Sequence, residues 1–147
     1  MPDSFPLDEY SLKLNAHYVN HLRRLYAAFD GDLEECLVLG EIAVYNTSGI
    51  QDRASMSRFN RDEAKAILKG CNAHSISLCT GIPRETVRRK IKKLKTKGWV
   101  TINERKQLIV TARVREDLGD FTIDTTQIFM RFLEGLRPEI AKTRNSL

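Results

Sequence analysis

The segment Gly81–Trp99, GIPRETVRRKIKKLKTKGW, restricts the fold more than any other stretch of this chain. Glycines mark both ends, and a glycine takes the positive φ that stops a helix sharply. Gly81 therefore predicts the end of one helix and Gly98 the end of the next. Pro83 fits near the first turn of the second helix, where its missing N–H costs nothing. Val87, Ile91 and Leu94 fall in one narrow stripe at about 100° per residue, with Ile82 plugging the corner before them. The same rotation sets Glu85, Arg89 and Lys92 on the opposite face, with Thr86, Arg88 and Lys93 beside them. Eight of the chain's twenty-four basic side chains lie in these nineteen residues.

The flanks complete a motif. Asn72 can cap a short helix, AHSISLCT, whose Ile76 and Thr80 face inward and whose small Ser77 admits a close helix crossing. A small residue, a glycine four later and a β-branched apolar residue six after that form a helix-turn-helix pattern. Beyond Gly98, WVTIN alternates as a strand should, and QLIVT returns after the tip residues Glu104, Arg105 and Lys106. Trp99 reads as core at the junction. A helix-turn-helix followed by a short hairpin with a basic tip is a winged helix. Its second helix, about 83–97, is narrow enough to enter the major groove of duplex DNA, where side chains read base edges. The wing, about 103–107, carries cations to the flanking phosphates or minor groove.

Charge supports that target. Between Ser75 and Val110 ten basic residues face two acidic ones, a net +8, while the whole chain carries +5, so the remainder sums to −3. A mildly acidic protein has gathered its positive charge into one segment, as a polyanion-binding surface requires. Arg89 is the leading candidate for a guanine contact, followed by Glu85 and Lys92. Arg84, Thr86, Arg88, Lys93, Arg105 and Lys106 complete the candidate DNA-binding set, Arg88 and Lys93 as phosphate holders. Lys95 and Lys97 read as solvated.

The stretch Ile76–Thr111 resembles the core of bacterial MarR-type transcriptional regulators. Ile76-Ser77 stands at the family's helix start, Gly81 at the turn, Val87 at the central valine, and Leu94, Lys97 and Gly98 at the exit. Glu104-Arg105-Lys106 matches the wing, and Val110-Thr111 the second strand. Ser77 and Thr80 stand where that family has alanine and leucine. The resemblance covers about a quarter of the chain and implies a sequence-specific regulator whose N- and C-terminal helices interlock into a two-fold dimer.

Outside the motif, Leu14, Tyr18, Leu22, Leu25 and Phe29 repeat at helical spacing from about Asp8, and Asp30-Gly31 stops them. Asp32 can cap the next helix, LEECLVLGEIAVYN, which is apolar over most of its circumference and predicts a central position. Gly40 within it predicts close approach of another helix. A Ser-rich loop follows from Thr47 to about Phe59, then a short capped helix from Asn60 that ends at Gly70. Near the C-terminus Asp124 reads as an N-cap with Gln127 at the capping-box position. Ile128, Phe129, Phe132, Leu133 and Leu136 form a stripe, and Pro138 limits the helix. The expected fold is mainly α with a small β-hairpin wing. One domain spans 1–147, with dimerisation and core helices at 8–46 and 120–140 and the winged helix at 60–111.

The remaining chemistry is thin. Cys36, Cys71 and Cys79 show no C-x-x-C spacing, so they read as small, partly buried hydrophobes of a reducing compartment. His17 and His21 share one helix face but have no evident acidic or cysteine partner for a metal, and His74 reads as a surface residue. No nucleophile elbow, phosphate-cradling glycine loop or H-E-x-x-H occurs, so no enzyme activity and no cofactor are expected. No apolar run or leader pattern points to a membrane, which makes the cytoplasm the default. The sequence names no small-molecule effector; one would bind between the dimer helices and the winged domain. Two alternatives remain: a winged helix used for protein–protein contact, and a redox-responsive regulator sensing through Cys79.

Overall fold

Several helix ends in this chain have a local cause. A computed structural model describes residues 9–48 and 68–144. Among these are five helices and one antiparallel hairpin: α1 (Glu9–Ala28), α2 (Leu33–Thr47), α3 (Ala73–Thr80), α4 (Arg84–Thr96), β1 (Val100–Ile102), β2 (Leu108–Val110) and α5 (Arg113–Arg144). The chain is thus mainly helical with a small two-stranded sheet. No helix among the described residues is long and apolar enough to cross a membrane.

The Asn72 side chain accepts from the amides of His74 and Ser75, and the Ser75 hydroxyl closes a reciprocal capping box at α3. Gly81 ends α3 at φ 72° and Gly98 follows α4 at φ 74°. Between α3 and α4 the turn is tied by side chains: Ser77 Oγ donates to the Ile82 carbonyl at 2.7 Å, and Thr80 Oγ1 accepts from the Ile82 amide at 3.2 Å. Asp32 caps α2 by accepting from the Glu35 amide at 3.0 Å. Asp30 and Gly31 both take positive φ, which separates α1 from α2 as their sequence suggests.

The chain falls into two compact units, one spanning Asp32–Asp117 and the other holding α1 with α5 from Leu118 onward. α2, expected among the dimerisation and core helices, belongs to the Asp32–Asp117 unit. It packs on α3, α4 and β2, because Val38, Leu39, Ile42 and Asn46 bury one of its faces. That core continues through Ile76, Val87, Leu94, Trp99, Val100 and Leu108, each side chain contributing roughly 1.5 to 3 kcal/mol. The central position expected for α2 is only half realised, since Leu37 and Val44 are exposed. Gly40 admits no close neighbour either: among the described residues nothing lies within 4 Å of the space a Cβ would fill.

The hairpin pairs Val100 with Val110, Thr101 with Ile109 and Ile102 with Leu108. Cys71, just before α3, forms an isolated antiparallel bridge to Leu108. Asn46, fully buried, fastens this arrangement to α2. Its Nδ2 donates to the Lys69 carbonyl at 2.9 Å and the Leu108 carbonyl at 3.1 Å, and its Oδ1 accepts from the Val110 amide at 2.9 Å. One asparagine thereby ties α2 to two other backbone segments, at Lys69 and along β2.

In the other unit, α1 and α5 run antiparallel. His17 stacks on Phe132 with ring centroids 4.2 Å apart, and Arg24 Nη2 donates to Thr125 Oγ1 at 3.3 Å while its guanidinium lies over Phe121. α5 corrects two expectations. It is continuous for 32 residues, so Asp124 lies within it instead of capping it, and it runs past Pro138 to Arg144. A cap residue permits a helix start without forcing one, and an interior proline removes one amide donor without forbidding helix on both sides. The helix expected from Asn60, and the Thr47–Phe59 loop beyond residue 48, lie outside the described residues. Thr47 itself closes α2, and residues 68–70 belong to no helix.

Candidate nucleic-acid interface

α4 has two chemically opposite sides. Val87 and Leu94 are fully buried, and Ile91 nearly so, while Arg84, Glu85, Arg88, Arg89 and Lys92 are exposed and Thr86 is half-buried. The observed helix, Arg84–Thr96, sits within the expected 83–97. Arg88 lies 3.5 Å from Glu85 one turn earlier. At this distance and exposure the pair contributes little and leaves both groups available. Among the described residues Arg84, Arg89, Lys92 and Lys95 have no ion-pair partner. Arg88, Ile91, Lys92, Lys95 and Thr96 line a shallow surface hollow of about 400 Å³.

The hairpin tip is organised by Asn103. Its Oδ1 accepts from the amides of Arg105 at 3.0 Å and Gln107 at 2.9 Å, and its carbonyl accepts from the Lys106 amide at 2.9 Å. This Asx turn leaves the side chains of Arg105 and Lys106 exposed. Lys106 adopts φ 59°, in the left-handed region where a side chain is strained by about 1 kcal/mol. A glycine would fit that turn more easily.

Lys90 and Lys93 of α4, with Lys97 at its C-cap, turn toward carboxylates of the Asp32–Glu35 segment. Lys90 falls inside the buried stripe, and its Nζ reaches Asp32 Oδ1 at 2.6 Å and Glu34 Oε2 at 3.2 Å. Lys93, expected on a phosphate, instead pairs with Asp32 Oδ2 at 2.8 Å and Glu35 Oε2 at 3.0 Å. Lys97, expected to be solvated, meets Glu35 Oε1 at 2.6 Å and lies 4.6 Å over the Trp99 ring. Glu35 is 1 % exposed, and neither of its oxygens has a well-aligned hydrogen bond, so its balance is chiefly ionic. The sequence held one signal for this: Lys90 stands three residues after Val87 and four before Leu94, on the apolar side. Its acidic partners, 58 and fewer residues away, gave none.

Burial raises the Asp32 carboxyl pKa, but hydrogen bonds from Lys90, Lys93 and the Glu35 amide outweigh it and hold the group well below the usual carboxylate range. The lysines are raised in turn, Lys90 and Lys93 each first by their bonds to Asp32. A carboxylate whose folded pKa is depressed stabilises the fold fully above the unfolded-state value and loses that contribution as pH falls below it. Urea unfolding should therefore show stability declining below about pH 4. Asp32→Asn should lower stability at neutral pH and flatten that acid limb; an unchanged limb would contradict the assignment.

Comparison with protein-family models, with curated proteins and with solved structures finds no match for this chain. The reading of the interface rests on its own residues.

Elsewhere, Trp99 Nε1 donates to Asp117 Oδ2 at 2.8 Å, where Arg113 also pairs at 2.9 Å, tying the start of α5 to the junction between α4 and β1. Both partners hold the Asp117 carboxyl below its ordinary pKa, Trp99 foremost. Cys36 and Cys71 are pushed up by burial, Cys71 to about 11, which makes them poor nucleophiles. Cys79 is a free, exposed thiol on α3, and His74 is exposed on the same helix. Among the described residues no group of three or more His, Cys, Asp or Glu side chains is placed to hold a metal ion. Between α1 and α5 lies a cavity of about 340 Å³, lined by His17, His21, Arg24, Thr125 and aromatic neighbours. Burial there, reinforced by the charges of His17 and Arg24, lowers the pKa of His21 and favours its neutral form.

Proposed function

We propose that the chain is a sequence-specific DNA-binding regulator of transcription, acting as a homodimer, with the Asp32–Asp117 unit working as a winged helix of the MarR type. α4 enters the major groove, and the β1–β2 hairpin contacts the flanking backbone. The carrying observation is the two-sidedness of α4: its apolar stripe is sunk in a core, and its free side holds Arg84, Glu85, Arg88, Arg89 and Lys92. A solvated lysine-rich helix would have no need of that fixed presentation. The exposed Arg105 and Lys106, displayed on an Asx turn from the same unit, support the role of the hairpin.

The helical unit supports the dimer. Leu12, Tyr18 and Leu22 of α1 are each more than half exposed, as are Ile123 and Met130 of α5. Apolar surface of this extent on two long helices is suited to a self-complementary contact, and a palindromic operator calls for two copies. No catalytic step is proposed, and the cytoplasm is the proposed site of action.

Binding to random duplex DNA across a salt series tests the reading. Neutralising phosphates with arginine and lysine releases counterions, so affinity should fall by about a thousandfold or more between roughly 50 and 200 mM salt. Weak binding at the lowest salt together with a flat slope would refute it.

A further inference from the structure

Ten cations lie between Ser75 and Val110, and they do not form one pool. We infer that Asp32, Glu34 and Glu35 act as an internal anion for α4: by neutralising Lys90, Lys93 and Lys97 they fix the roll of the helix and withhold those three lysines from the duplex. The inference rests on the DNA-binding reading and sharpens it, since duplex affinity is left to the seven other cations of the segment. In space the local charge is then +5, not the +8 counted along the chain.

Geometry makes the case. The five ion-pair distances run from 2.6 to 3.2 Å, against 3.5 Å for the outward Arg88–Glu85 pair. Both ends of the contact are anchored. Asp32 is the N-cap of α2, its Oδ1 shared between the Glu35 amide and Lys90. Lys90, Lys93 and the C-cap Lys97 are three and four residues apart and so continue one edge of α4. That edge adjoins the Val87–Ile91–Leu94 stripe. A carboxylate as buried as Glu35 is strongly disfavoured without cations, and the same holds for Lys90 without its carboxylates. Phosphate could recruit Lys93 or Lys97 only by leaving Glu35 buried and short of a partner. Apolar burial alone permits a helix to rock about its stripe. Charge pairs on one flank oppose that motion, and base discrimination in a groove depends on where Arg89 and its neighbours point. Asp32 and Glu35 are therefore positioning residues.

The test compares Lys92→Gln, Lys93→Gln and Lys97→Gln in the full chain, each measured against random duplex DNA over a salt series. Lys92→Gln should reduce the salt slope by about 0.9, one phosphate's worth, whereas Lys93→Gln and Lys97→Gln should leave the slope unchanged, since neither lysine meets a phosphate. Glu35→Gln, checked for folding by circular dichroism, should steepen the slope by about one phosphate's worth as Lys97 is released, Lys93 keeping its pair with Asp32. It should also narrow the affinity gap between selected and random duplexes. A merely structural role for Glu35 would lower the melting temperature without moving the slope. Equal flattening by Lys92→Gln and Lys93→Gln, with wild type binding steeply, overturns the inference alone. Wild type that binds no duplex at any salt defeats the DNA-binding reading itself. A double-mutant cycle between Glu35→Gln and Lys93→Gln in urea reads the clamp without DNA. The double variant should lose less stability than the two singles combined, and strict additivity would overturn the clamp.

Discussion

Replacing Asn46 with leucine should destabilise the Asp32–Asp117 unit by about 3 kcal/mol or more, although the two side chains are close in size. The carboxamide is fully buried and makes three backbone hydrogen bonds. The Leu108 carbonyl would keep the Cys71 amide at 3.4 Å. The Val110 amide and the Lys69 carbonyl would each lose the Asn46 bond. A buried polar group deprived of its partner costs about 1 to 3 kcal/mol, and leucine offers nothing in return. Urea unfolding followed by circular dichroism measures this directly. A change within about 0.5 kcal/mol, typical of surface substitutions, would mean that Asn46 is not the pin between α2 and the hairpin.

The second large effect concerns discrimination between DNA sequences. Arg89→Ala should narrow the affinity difference between a selected site and random duplex by about 1 to 3 kcal/mol, the usual weight of one bidentate base contact. Lys106→Ala should weaken both duplexes by the same factor and reduce the salt slope by about one. Arg89 stands opposite the buried stripe and is free of ion pairs among the described residues, so its guanidinium is available to a base edge. Lys106 sits on a turn whose backbone, not whose side chain, is fixed. Parallel losses from both substitutions would contradict this division of roles.

What the sequence made legible was short in range. Asn72, Gly81 and Gly98 set helix ends through groups within a few residues of themselves. Val87, Ile91 and Leu94 declared a buried face through period alone, and all three are buried. Asp32 announced its cap in the same way. What stayed hidden depends on distant partners. Nothing near Asn46 shows that it will meet Lys69, Leu108 and Val110, and nothing near Lys93 shows that Asp32 lies beside it. Counting charge along the chain therefore overstated the basic surface, because the carboxylates that offset it sit before Gly40 in sequence. α5 failed the opposite way: Asp124 and Pro138 carry real local preferences, and the helix runs through both. The apolar stripes of α1 and α5 were legible as stripes, while Leu14, Tyr18 and Leu22 remain substantially exposed. Periodicity identifies a face and leaves open what covers it.

Selection of bound sequences from a pool of random duplexes reads both sequence specificity and two-fold symmetry in one experiment. The enriched motif should have two-fold symmetry, with half-sites about one helical turn apart, and the enrichment should be lost in Arg89→Ala. A pool that emerges from selection with no enriched sequence would contradict sequence-specific binding.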